Sequence, residues 1–214
     1  MKNNKNSFLI TKKPSFKSRD LEKGVSLTIV LILLVIISII GISAVQISSS
    51  GTKTVTADRD LRIAWQASEA ALMDAEFDIL GPNMSPNQRT DVFAAGNRLE
   101  FAEGCGNSGI GQGLCLPTTS GKPVWLTANL EANNGSSPAV PFGTFTGRSF
   151  DSDGSQSGLR PHFPPRYIIE VVEDKEAFSN ASHKVAKKFV YRVTSMGYGP
   201  TESITAVTQM VFRK

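Results

Sequence analysis

Cys105 and Cys115 are the only cysteines among the 214 residues, with nine residues between them in a glycine-rich stretch. In an oxidising compartment, two thiols at this spacing close a short loop as a disulfide, worth about 2–3 kcal/mol in the loop-entropy account. A pair of free thiols is the alternative. A zinc site needs four ligands, and His162 and His183 lack the spacing to complete one. Asp151 to Gly158 is rich in oxygen ligands, as a calcium loop would be. No glutamate stands at the twelfth place, and Arg160 and Pro161 follow, so a solvated turn is expected. Glu69 and Glu76 fall on one helical face seven residues apart and read as a solvated surface. No Ser/His/Asp order, H-E-x-x-H, nucleophile elbow or phosphate loop is present. The chain is therefore expected to be no enzyme and to need no cofactor.

The elements that carry these residues begin with a charge asymmetry. Residues 1–23 hold seven basic side chains against Asp20 and Glu22, a net of +5 in a chain whose total is +4. The remainder is slightly acidic, which excludes a basic surface for nucleic acid. An apolar run from Gly24 to Val45 follows, and no charge occurs between Lys23 and Lys53. As a helix, this run of roughly 21 residues spans about 30 Å, the thickness of a bilayer core. The flanking lysines stay cytoplasmic, giving a single pass with the N-terminus inside. A cleavable signal peptide, ending at Gly41-Ile42-Ser43-Ala44, is the competing reading. Its apolar core would be only about 7–15 residues, so the run is too long.

Past the membrane run, Val55, Leu61, Ala64, Trp65, Ser68, Ala71, Leu72, Ala75 and Ile79 recur at helical spacing. Asp58, Arg59, Arg62, Glu69, Asp74 and Glu76 fill the other face. One helix is predicted from about 25 to 80, ended by Gly81-Pro82 and weakened at Gly41 and Ser48 to Gly51, where a bend or a melted turn would fall. Residues 81–166 are dense in Gly, Pro, Asn and Ser, with a short helix expected around Asn87 to Phe101 and a brief element at Val124 to Leu130. Three strands follow, at 167–173, 188–196 and 203–213, separated by a connector at 174–187 and a turn at Gly197 to Pro200. Three strands need a cover, and the amphipathic helix supplies it, so the fold class is α+β.

The boundary Lys23-Gly24-Val25-Ser26-Leu27 resembles the leader boundary of type IV prepilins. That resemblance implies cleavage by prepilin peptidase between Gly24 and Val25, and methylation of the new amino group on Val25. Gln66-Ala67-Ser68-Glu69-Ala70-Ala71-Leu72-Met73-Asp74-Ala75-Glu76 resembles a segment of PilX-type minor pilins. So do Tyr167-Ile168-Ile169-Glu170 and Tyr191-Arg192-Val193-Thr194-Ser195-Met196-Gly197. The likeness covers about 23–80 and 164–214. It implies a pilin-like fold, with a long N-terminal helix on a small antiparallel sheet.

Its implied role is that of a minor pilin, inserted in the bacterial inner membrane and then assembled into a pilus with other minor pilins and the major pilin. Priming of assembly, adhesion and twitching motility are the functions the family suggests. Pilins usually carry Glu as the fifth mature residue, where this chain has Ile29. Pilin-like subunits without that Glu, such as general secretion pathway protein K, are associated with the tip. A tip or initiating position follows as an expectation, against the plainer reading of Ile29 as one more aliphatic of the bundle. Three segments are thus expected: a leader at 1–24, a transmembrane half-helix at 25–54 and a periplasmic domain at 55–214. A type II secretion pseudopilin, or a membrane-anchored periplasmic binding module, is the alternative.

Overall fold

Helix α1 occupies Val25–Leu80, 56 residues of unbroken helix. The computed structural model describes residues 25–94, 97–131, 135–150, 159–174 and 189–214. The turn expected to melt at Ser48 to Gly51 stays helical. By contacts the chain divides into a unit ending at Gly51 and a unit of residues 52–214. In the first unit α1 exposes its aliphatic side chains on all sides.

In the second unit α1 is amphipathic along the expected stripe from Ala64 onward, with Val55, Leu61 and Trp65 left out of it and Ala67, Asp74 and Asp78 added. Ala64, Ala67, Ser68, Ala71, Leu72, Asp74, Ala75, Asp78 and Ile79 are buried, whereas Val55, Leu61 and Trp65 are exposed. Trp65 lies along the helix surface and donates its indole N–H to Glu69 Oε1 at 2.7 Å. The helix ends at Gly81, whose φ of 70° suits glycine and whose N–H bonds Phe77 O at 2.7 Å.

Five strands form one sheet: β1 at Leu114–Cys115, β2 at Val140–Pro141, β3 at Arg166–Glu173, β4 at Phe189–Tyr198 and β5 at Thr205–Arg213. Their order is β1-β3-β4-β5, with β2 also paired to β3. The three long strands are antiparallel, as predicted, with Ile169 opposite Val193 and Val193 opposite Met210. The sheet is nevertheless mixed, because β1 runs parallel to β3. A two-residue strand carries no period-two signal, so the sequence pattern could not show β1 or β2. Strand β4 also runs on through Tyr198, and the turn lies later, closed by Gly199 N–H to Ile204 O at 2.7 Å.

Among the described residues, the short helix expected around Asn87 to Phe101 is one 3-10 turn, Thr90–Phe93, and the brief element expected at Val124 to Leu130 is the short helix α2 at Val124–Thr127. The connector 174–187 falls outside the described residues beyond Asp174.

Helix α1 covers one face of the sheet through Ala71, Leu72, Ala75 and Ile79, which pack with Tyr167, Ile169, Val171, Tyr191 and Val193. A smaller cluster of Cys105, Cys115, Val124, Leu130, Ala139 and Ile168 forms a second core. Helix and β4 meet almost backbone to backbone at Gly197, where an added Cβ would collide with Ala64 O and Ser68 N. Beside it, Ser68 Oγ lies 2.8 Å from Ser195 Oγ and 2.7 Å from Thr208 Oγ1, a buried hydroxyl cluster that fixes the helix over β4 and β5. Gly197→Ala should therefore push the helix off the sheet and cost about 1–3 kcal/mol, as overpacking does. Urea denaturation of the full chain in detergent, followed by near-UV circular dichroism, measures this; an unchanged midpoint would contradict the close approach.

Candidate functional site

The exposed aliphatic surface of α1 from Val25 to Ile47 is the first candidate site. Among the described residues, α1 is the one helix long and apolar enough to cross a membrane. Two of its polar side chains bond back onto the helix, Ser38 Oγ donating to Leu34 O at 2.7 Å and Ser43 Oγ to Ile39 O at 2.9 Å. Such bonding is what a hydrocarbon environment requires. Val25, the first described residue, is helical, and Ile29 stands one turn further along with its side chain exposed. Gly24, the other half of the expected cleavage site, lies outside the described residues.

The second unit is organised by charges that the sequence pattern assigns to the surface. Asp74 was expected on the solvated face, yet it and Asp78 are fully buried. They lie four apart, in line with Ala71 and Ala75, so both carboxylates point under the loops of the middle region. Asp78 accepts from Arg89 Nη2 at 2.6 Å, from Arg89 Nε at 3.0 Å and from the Tyr167 hydroxyl at 2.8 Å. Arg89, itself fully buried, donates from Nη1 to Ile110 O at 2.7 Å and Gln112 O at 2.6 Å, and stacks 3.6 Å from the Phe145 ring. One ion pair thus ties α1, two loops and β3 together.

Burial and the neighbouring Asp78 charge push the Tyr167 hydroxyl well above the usual tyrosine range, so it remains a donor. Asp74 accepts from Gly143 N–H at 2.8 Å and from the Thr146 hydroxyl, fastening a second loop. Burial raises its carboxyl above the ordinary aspartate value, and those two hydrogen bonds only partly offset the rise. Across the sheet, Arg192 holds Glu170, its antiparallel neighbour, at 2.7 Å.

Cys105 and Cys115 form the expected disulfide, with Cα atoms 4.1 Å apart. Cys105 has φ of 74°, and Cys115 lies in β1, so the bridge hangs a tight loop on the sheet within the second core. His162 packs edge-on against Phe163 and donates its backbone N–H to Gly199 O at 2.8 Å; His183 and Asp151 to Gly158 lie outside the described residues. Glu69 is exposed and Glu76 half-buried, and among the described residues no three metal-ligating side chains cluster.

The comparisons with known proteins agree with this architecture. Residues 23–72 match the family model described as PilX N-terminal, and residues 111–214 match that of the type IV pilus assembly protein PilX C-terminal. The two matches cover both the apolar start of α1 and the whole sheet. This chain belongs to the PilX family of type IV pilus minor pilins. The C-terminal PilX match reaches back to residue 111, so it takes in β1, Cys115, α2 and β2, well beyond the segment from 164 that the sequence resemblance covered. No curated protein and no solved structure matches the chain.

Asp78→Asn leaves the Arg89 charge buried without its counter-ion and should cost about 3–5 kcal/mol, whereas Asp78→Leu with Arg89→Met should recover most of that loss. Urea midpoints of the single and double variants decide it; a double variant no better than the single one would show that the charge is not the cause. Asp74 gives a pH signature. Because its folded pKa is raised, the native state holds more protons than the unfolded chain. Its contribution to stability is complete below the unfolded value near 3.8 and declines as pH rises through the folded value. Urea midpoints measured from pH 3 upward should show this decline in the wild type and lose it in Asp74→Asn.

Proposed function

We propose that this PilX-family chain is inserted in the bacterial inner membrane by α1, N-terminus inside, and is matured by prepilin peptidase between Gly24 and Val25. It then joins other minor pilins and the major pilin to prime a pilus. The observation that carries this reading is α1 itself, which is apolar and exposed from Val25 to Ile47 and buries a stripe against the sheet from Ala64. A surface of that kind suits a bilayer before assembly and a bundle of similar helices afterwards.

In the proposed assembly, Ile29 sets the position of the subunit. A carboxylate at this place would need a cation to pair with, because an unpaired charge in an apolar helix bundle costs several kcal/mol. Ile29 makes no such demand, which suits a subunit with no neighbour above it, at or near the tip. Adhesion and motility would follow from pilus formation rather than from chemistry of this chain.

One experiment tests maturation and position together, by quantifying the protein in membranes and sheared pili of wild-type, Gly24→Val and Ile29→Glu strains. Gly24→Val should leave a full-length membrane protein and few surface pili, since the scissile position tolerates little beyond a hydrogen. Ile29→Glu should give no gain in pili. Normal maturation of the first variant contradicts the prepilin reading, and a several-fold gain with the second contradicts the tip position.

A further inference from the structure

Three stretches of loop that are far apart in the chain, at 86–88, 109–112 and 144–145, line one cavity of about 490 Å³. Its lining residues include Asn87, Gln88, Ile110, Gln112, Thr144 and Phe145. Phe145 is buried, Gln112 and Thr144 are half-buried, and Asn87, Gln88 and Ile110 are exposed, so the cavity opens to solvent from an aromatic floor.

These walls are held from behind by the buried pair of Asp78 and Arg89. Arg89 follows Gln88 in the chain, donates to the backbone carbonyls of Ile110 and Gln112, and lies 3.6 Å from the centre of the Phe145 ring, so one side chain joins all three walls. The wall residues are tied individually as well: Asn87 N–H donates to Ser85 Oγ at 3.2 Å, Thr144 Oγ1 to Pro141 O at 2.7 Å and Gln112 Nε2 to Ala139 O at 3.3 Å. A cavity fixed before anything enters it spares a ligand the cost of ordering its walls. Among the described residues the side-chain amides of Asn87 and Gln88 have no hydrogen-bond partner, and Gln112 keeps its Oε1 as a free acceptor.

No Asp, Glu, Lys, Arg or His lines the cavity, and the charge of Arg89 behind it is already answered by Asp78. A carboxylate, phosphate or ammonium group finds no counter-charge there. An extended peptide would take a free strand edge, and no lining residue belongs to a strand. What the walls offer is carboxamides, each of which both donates and accepts, beside the apolar Ile110 and Phe145. That combination matches a sugar ring, whose hydroxyls also donate and accept and whose C–H face is apolar. The volume falls within the roughly 300–1,000 Å³ of small-ligand sites. We infer that this cavity binds a neutral mono- or disaccharide, with the amides of Asn87, Gln88 and Gln112 bonded to its hydroxyls and its C–H face against Ile110 and Phe145.

The test uses the full-length, uncleaved chain in a detergent without a sugar headgroup, so its outcome is independent of the maturation and position proposed above. Saturation-transfer NMR is run with glucose, galactose, mannose, N-acetylglucosamine, N-acetylgalactosamine and lactose, and with galacturonic acid and glucosamine as charged controls. At least one neutral sugar should bind more tightly than both charged ones. Asn87→Ala with Gln88→Ala should weaken that binding by about tenfold, as the loss of two hydrogen bonds does. The urea midpoint should stay unchanged, because neither amide holds the fold. Absence of transfer to every neutral sugar, a charged sugar bound as tightly as any neutral one, or neutral binding that survives the double substitution would overturn the inference.

Discussion

The buried pair of Asp78 and Arg89 is the contact on which the irregular part of the domain depends. The described residues of 81–150 have little regular structure, and a chain so rich in glycine and asparagine cannot order itself by local propensity. Its backbone is instead tied to charges rooted in α1. Asp78 holds Arg89, and Arg89 holds the carbonyls of Ile110 and Gln112. Asp74 holds the loop at Gly143 and Thr146. Two carboxylates one helical turn apart thereby serve three stretches of loop.

That arrangement has a cost that the rest of the core must offset. Desolvating two charges is unfavourable by several kcal/mol each, recovered only when geometry and hydrogen bonding are nearly complete. Tyr167 from β3 and the stacked Phe145 ring complete the shell around Asp78 and Arg89. A loop fixed by such contacts has one arrangement available to it, because any other leaves a buried charge unpaired. The disulfide does the same on the opposite face of the sheet, closing the stretch from Cys105 to Cys115 onto β1.

Helix and sheet meet through small residues rather than large ones. Ala64, Ala67 and Ser68 face Gly197 and Ser195, and the hydroxyls of Ser68, Ser195 and Thr208 satisfy one another where the backbones come close. This contact sets the height of the sheet along the helix.

The long helix, its apolar first half, the three long strands and the cysteine pair were legible in the sequence, because each is written in local composition or in a period of two or 3.6 residues. The PilX resemblance could be read in the same segments. Strands β1 and β2 were not legible, since two residues show no period and their pairing with β3 joins positions far apart in the chain. Nor were Asp74, Asp78 and Arg89, because a charged side chain reads as solvated until its partner is known. Asp78 and Arg89 do stand on the two sides of a Gly-Pro break, and Asp74 and Asp78 do follow the spacing of Ala71 and Ala75. Periodicity could place them on the buried stripe, but only tertiary structure supplies the buried counter-ion and hydrogen bonds that make charge there tolerable. What the sequence determined was therefore the helix and the strands, through local covalent and steric preference. What tertiary structure decided was which charges go inside, because the free energy of a buried charge depends on what surrounds it.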